Sequence, residues 1–113
     1  MPSIIAQVIH VVDGDTFDLS NGMRIRIAGA DSDEMSGFCH QACARNDGPA
    51  AKSYLERLIL RRTVLCDPVD RSYNRIVARC TVQGVDVACR LLRDGMAVKV
   101  ERYWNRYRLP ACY

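Results

Sequence analysis

Residues 13–34 read DGDTFDLSNGMRIRIAGADSDE. Two short runs, Thr16 to Ser20 and Met23 to Ala28, flank Asn21-Gly22, the dipeptide that most strongly signals a two-residue hairpin turn. Such a turn sets Ser20 opposite Met23 and Asp15 opposite Ala28. The acidic stretches Asp13 to Asp18 and Asp31 to Glu34 then meet at one end of a single hairpin. This placement follows from turn type alone.

Outward from the hairpin, IIAQVIHVV (4–12) alternates as a strand and ends at a tight Asp13-Gly14 turn. Residues 32–48 are polar and loop-like. Pro49 opens a helix at its first position, with Asn46 or Asp47 as cap, and Tyr54, Leu55, Leu58 and Ile59 give it an apolar face. Thr63 to Cys66 and Arg75 to Val82 are further strands around a polar turn, the second closed by Gln83-Gly84. Asp86 caps a helix running to Arg93 that Gly95 ends. Met96 to Val100 extends briefly. The basic, aromatic tail ERYWNRYRLPACY (101–113) makes a helical turn or two before Pro110. The order is three strands, helix, two strands, helix, tail. Many short strands with Gly turns in a chain of 113 residues predict one α+β, mainly β domain over 1–113, a closed or partly closed barrel.

Hydrophobic residues make up 49% of the chain and charged residues 26%, a globular balance. No apolar run approaches the length of a membrane span, so no membrane association is expected. The net charge of +3 is unevenly spread: residues 1–51 carry three Arg or Lys against seven Asp or Glu, and residues 52–113 carry thirteen against six. Most of the basic residues are Arg, whose planar fork suits phosphate.

The segments VVDGDTFDLSNGMRIRIAGADSDE, DRSYNRIVARC and VDVACRLLRDGMAVKV together resemble the signature blocks of the staphylococcal nuclease-like (thermonuclease) family, over about Val8 to Tyr107. The resemblance implies an OB-fold five-stranded barrel with two to three packed helices. It implies one Ca²⁺ per chain and cleavage of DNA and RNA, preferably single-stranded, with little sequence selectivity. Carried over residue by residue, Asp15 and Asp31 match the metal carboxylates, and Ser32 matches the residue giving a backbone carbonyl to the ion. Glu34 matches the carboxylate that activates water. Arg26 and Arg75 match the arginines that hold the phosphate, and Tyr73 and Tyr103 match positions of rings near the nucleotide. A monomer is expected.

The residue types make chemical sense on their own. Ca²⁺ takes oxygen ligands, and two carboxylates plus a carbonyl leave room for water and a phosphate oxygen. Guanidinium groups aimed at the equatorial oxygens of a five-coordinate phosphorus stabilise the transition state more than the ground state. Taken singly each residue has a plainer role: Asp13-Gly14-Asp15 as a turn, Arg26 and Arg75 as surface charges, Tyr73 and Tyr103 as packing rings. The joint spacing favours the catalytic reading. Two positions depart from the family pattern. Asp33 stands where Pro is usual, adding charge beside Glu34, and Asn74 stands where Gly is usual in the turn before Arg75. His10 and His40 are read as bystanders.

Six cysteines are an even and high count for the length. Their spacing does not fit a zinc site. Cys66 and Cys80 are equidistant from residue 73, so a symmetric hairpin sets them opposite each other and a disulfide there would staple the Arg75 loop. Cys39 can pair with Cys43, leaving Cys89 and Cys112 to tie the tail to the second helix. Disulfides imply a periplasmic or secreted protein whose leader has been removed, with the cytoplasm as the alternative. The competing functional readings are an OB-fold nucleic-acid or protein-binding module without catalysis, and a disulfide-stapled secreted protein with no enzyme role.

Overall fold

The structure, a computed structural model, describes residues 1–32 and 48–112. Asp33, Glu34, Cys39, His40, Cys43 and the expected helix caps Asn46 and Asp47 lie outside the described residues. Eight strands and three helices are described. They run β1 (Ile4–Asp13), β2 (Thr16–Leu19), β3 (Arg24–Ile27), β4 (Ala30–Asp31), α1 (Gly48–Ile59), β5 (Thr63–Ser72), β6 (Arg75–Val82), β7 (Val85–Asp86), α2 (Val87–Arg93), β8 (Val98–Lys99) and α3 (Glu101–Tyr107).

Antiparallel pairing runs β3-β2-β1-β5-β6, and a parallel β3–β6 pairing closes these five strands into a barrel. This is the expected OB-type α+β architecture, with three helices packed on it. Closure removes the free edges that an open sheet would expose. Alternation points Phe17, Leu19, Ile25 and Ile27 inward, and an irregularity in β1 between Val8 and His10 lets both Val8 and Val11 join them, all six buried. Burying each such side chain contributes about 1.5–3 kcal/mol. Ala51, Leu55 and Ile59 recur every four residues along α1 and form its buried face. Among the described residues no helix is long and apolar enough to cross a membrane.

The β2–β3 hairpin forms where predicted but in a different register. Thr16 pairs with Arg26, Phe17 with Ile25 and Asp18 with Arg24. The loop holds three residues, Ser20, Asn21 and Gly22, because Leu19 N–H donates to Met23 O and Gly22 takes the left-handed φ of +88°. A three-residue loop ending in left-handed Gly is the next most favoured hairpin connection. The Asn21 side chain stabilises it by accepting from Met23 N–H at 3.0 Å. Asp15 therefore lies opposite Ile27, whose N–H donates to Asp15 O at 2.8 Å, rather than opposite Ala28.

The β5–β6 hairpin is longer than predicted and brings Cys66 directly opposite Cys80, joined by a disulfide. A second disulfide joins Cys89 to Cys112. The left-handed residue of the connecting turn is Tyr73, at φ 56°. Asp86 caps α2 as expected, its Oδ1 accepting from Cys89 N–H at 2.9 Å.

Candidate active site

The site begins at the closing pair of the barrel. Arg26 lies beside Val77 in the parallel β3–β6 register. Arg75 stands two residues before Val77 on the same face of β6. Ile25, Ile27, Ile76 and Ala78 point into the core, so strand alternation sends both arginines outward together. Both line one cavity of about 270 Å³.

Asp15 and Asp31 sit beside this wall, 6% and 7% exposed. Asp15 follows the Asp13-Gly14 turn, whose Asp13 Oδ1 accepts from Asp15 N–H at 3.0 Å. Gly14 is required there. A Cβ would fall 2.6 Å from both Ala51 Cβ and Ser32 Oγ, so the first turns of α1 pack directly on the Asp15 turn. Asp31 is carried on β4, which pairs with Val98 on β8.

Arg26 links the two carboxylates. Its Nη2 lies 3.5 Å from Asp15 Oδ2 and 3.4 Å from Asp31 Oδ1. Its Nη1 donates to the carbonyls of Ile27 at 2.6 Å and Ala30 at 2.7 Å. The guanidinium is thus fixed in place before any ligand arrives. Asp15 Oδ2 also accepts from Ser32 N–H and Ser32 Oγ, both at 3.1 Å, and Oδ1 accepts from Thr16 Oγ1 at 3.0 Å. Burial, the largest single influence, pushes the Asp15 carboxyl up. The Arg26 charge together with the hydrogen bonds outweighs it and holds the group below its ordinary value.

The far wall of the cavity is α3. Tyr103, Arg106 and Tyr107 line it, facing Asp70, Arg71 and Ser72 of β5. Trp104 anchors this helix. Its Nε1 donates to Gly29 O at 2.9 Å, and Arg79 and Lys99 lie over its ring at 4.8 and 4.6 Å. Arg79 is itself buried and ties the tail down. It donates to Asp86 Oδ2 at 2.7 Å, to Pro110 O at 2.8 Å and to the Cys89 sulfur at 3.0 Å.

The fold, the closing strand pair and the carboxylates beside two outward arginines all point one way. A family model described as staphylococcal nuclease homologue matches residues 24–111. The chain belongs to that family. The match spans Arg26, Asp31, Ser32, Glu34, Arg75 and Tyr103, while Asp15 lies just before it. No curated protein matches the chain.

For a staphylococcal nuclease homologue, the two buried carboxylates and Arg26 are the informative part. Among the described residues no group of three or more His, Cys, Asp or Glu side chains converges on a point. The donor set is nevertheless suitable for a hard divalent cation, since Asp15 and Asp31 offer carboxylate oxygens. The Arg26 edge between them shows that this point accepts positive charge.

The structure brings Asp15, Asp31, Ser32, Arg26, Arg75 and Tyr103 to one end of the barrel. Tyr73 is placed differently, at the tip of the β5–β6 turn and 94% exposed. Asp70 and Arg71 line the cavity without having been singled out in the sequence, and Arg106 and Tyr107 bring the basic, aromatic tail into the same wall. Pro68 in the strand is the one sequence signal of the irregularity that turns Asp70 outward.

Proposed function

We propose that the chain is a calcium-dependent phosphodiesterase acting on DNA and RNA, preferably single-stranded, with little sequence selectivity, as a monomer. The observation that carries this reading is the outward pair Arg26 and Arg75 on adjacent closing strands, next to the buried Asp15 and Asp31. Arg75 is half-buried in the cavity wall, and Arg26 is braced by two carbonyls. Two guanidinium groups held this way suit the non-bridging oxygens of one phosphate, with little reorganisation during reaction.

Asp15, Asp31 and the Ser32 carbonyl would hold the ion. When bound, Ca²⁺ supplies Lewis-acid polarisation of the phosphate. In this reading Glu34 takes the proton of the attacking water, and Arg26 and Arg75 stabilise the charge that develops on the phosphoryl oxygens. Tyr103 lines the cavity, where it would lie beside a base. Tyr73, at the exposed hairpin tip, suits a nucleotide further along the strand. Two disulfides support an oxidising compartment such as the periplasm or the extracellular space.

Incubation of the protein with denatured DNA and with RNA tests the reading, with Ca²⁺ or a chelator, beside Glu34→Gln. Cleavage with Ca²⁺ that is lost with chelator and falls by orders of magnitude in Glu34→Gln supports it. Strand binding with no cleavage under any condition would favour the non-catalytic OB-fold module instead.

A further inference from the structure

Buried Arg79 aims one N–H at a sulfur that accepts only weakly. Its guanidinium is shared out edge by edge at 7% exposure. Nε donates to Asp86 Oδ2 at 2.7 Å, Nη1 to Pro110 O at 2.8 Å and Nη2 to Cys89 Sγ at 3.0 Å. Cys112 Sγ, bonded to Cys89 Sγ, lies further off at 3.9 Å. A disulfide sulfur is a poor acceptor for a guanidinium. A thiolate in its place would take a charge-assisted bond, roughly twice as strong as a neutral one. The donor is therefore matched to Cys89 in its ionised, reduced state.

The two disulfides differ in the properties that govern thiol–disulfide exchange, access to the attacked sulfur and stability of the leaving thiolate. Cys66 and Cys80 are both 0% exposed, in the core cluster of the barrel with Val64 and Ala78. Apolar burial there shuts out a reductant and disfavours any thiolate released. Cys112 is exposed on the tail, and Cys89 is half-buried in the first turn of α2. An arginine beside a cysteine favours the thiolate form. Asp86 offsets part of the Arg79 charge. It occupies the Nε edge, however, and its Oδ1 is engaged by Cys89 N–H at 2.9 Å, which leaves Nη2 to the sulfur. Attack at exposed Cys112 and departure of Cys89 is thus the favoured direction.

We propose that Cys89–Cys112 is a redox-active disulfide, exchanged with a dithiol reductant of the Cys-x-x-Cys kind through attack at Cys112, with Cys89 leaving as a thiolate held by Arg79. The reductant's first thiolate bonds to Cys112 Sγ, the Cys89–Cys112 bond breaks, and its electron pair stays on Cys89 Sγ. The reductant's second thiolate then bonds to its first sulfur, and the Cys112 sulfur leaves and takes up a proton. The reductant ends as its own disulfide, and the two electrons it gives up reduce Cys89 and Cys112. In an oxidising compartment the bond stays closed until such a partner meets it. Opening frees residues 110–112 from α2 and gives Arg79 a charged acceptor that competes with Pro110 O. Arg79 also lies over the ring of Trp104, which docks α3 through Gly29 O. The redox state of the tail therefore reaches the helix that walls the cavity. The exchange itself does not rest on the nuclease reading.

Equilibration of wild type in mixtures of reduced and oxidised dithiothreitol, followed by acid quench, alkylation and peptide mass analysis, reads each disulfide separately. Cys89–Cys112 is expected to open in mixtures that leave Cys66–Cys80 closed and the far-ultraviolet circular dichroism unchanged. The emission of Trp104 should change with the same midpoint, because Arg79 lies over its ring. A thioredoxin whose second active-site cysteine is replaced by serine should be trapped as a mixed disulfide on Cys112. Iodoacetamide labelling of Cys89 in Cys112→Ser reads the role of Arg79. An ordinary thiol, with a pKa of about 8.5, loses roughly eightfold in rate from pH 8 to pH 7; Cys89 should lose less than about threefold, and adding Arg79→Gln should restore the steeper fall. Opening of both disulfides together, unchanged Trp104 emission, trapping on Cys89 or no trapping would each overturn the proposal. So would a Cys89 profile as steep as that of an ordinary thiol, or one that Arg79→Gln leaves shallow. None of these readouts uses nucleic acid, so the proposal and the nuclease reading stand or fall separately.

Discussion

Replacing Gly29 by Ala tests how α3 is held over the cavity. Gly29 has φ +76°, a conformation that costs an L side chain about 1–2 kcal/mol. An added Cβ would fall 2.4 Å from Trp104 Nε1 and 2.8 Å from Leu109 Cδ1. The indole cannot swing aside freely, because its N–H is bonded to Gly29 O and Arg79 and Lys99 lie over its ring. Overpacking of this kind costs about 1–3 kcal/mol, and losing the indole hydrogen bond about 0.5–1.5 kcal/mol more. The expected loss is roughly 3–6 kcal/mol, a large share of the 5–15 kcal/mol typical of a domain. Gly22→Ala is the control. Its φ of +88° is similar, but nothing lies within 4 Å of the added Cβ. It should lose only the backbone portion, about 1–2 kcal/mol. Urea unfolding of the oxidised protein, followed by the emission of Trp104, the sole tryptophan, reads both variants. Tyr103 and Tyr107 ride on the same helix, so Gly29→Ala should also raise KM for a short oligonucleotide more than Gly22→Ala does. Equal stability losses in the two variants would refute the docking argument.

Two further outcomes follow from the same contacts. Cys89→Ser with Cys112→Ser opens a crosslink between residues 23 apart, which the chain-entropy model puts at about 3 kcal/mol; urea unfolding should show that loss, and calorimetry should show weaker oligonucleotide binding as the tail under Arg79 loosens. The α1–α2 contact has a pH signature. Hydrogen bonds from Arg93 and then Tyr54 hold Asp94 at about 2, against an ordinary 3.8. Burial and then the Asp94 bond push Tyr54 up to about 12 from 10.0, with Arg90 and Arg93 opposing. The Asp94 contribution is complete above pH 3.8 and lost as pH falls through about 2. The Tyr54 contribution is complete below pH 10.0 and lost as pH rises through about 12. The Tm difference between wild type and Tyr54→Phe should therefore be flat from about pH 4 to 10 and shrink outside that window; a difference that varies within it would contradict the assignment.

Local chemistry made much of this fold legible in the sequence. Asn21-Gly22 marked the hairpin, Asp86 marked the α2 cap, and the spacing of Cys66 and Cys80 about residue 73 marked their pairing. Register and long-range closure were harder. The β2–β3 loop took three residues rather than two because left-handed Gly22 admits both connections, and only packing of Phe17 and Ile25 in the core chooses between them. The parallel β3–β6 pairing joins segments some fifty residues apart, and no local pattern encodes it. Pro68 marks an irregular strand, but which face Asp70 then takes depends on the Val69 bulge, so the carboxylate in the cavity wall went unread. Tyr107 was noted as part of a basic, aromatic tail, but its bond to Asp70 depends on α3 being docked by Trp104.

The central claim is that Arg26 and Arg75 act on one phosphate beside Asp15 and Asp31. Single-turnover cleavage of a labelled single-stranded oligonucleotide at saturating protein and Ca²⁺, by wild type and Arg75→Ala, tests it most directly. Removing one preorganised donor to the transition state is worth about 2.7–4 kcal/mol, so the rate constant should fall roughly 10²–10³-fold, with a much smaller change in the dissociation constant. Equal single-turnover rates in the two proteins would contradict the account.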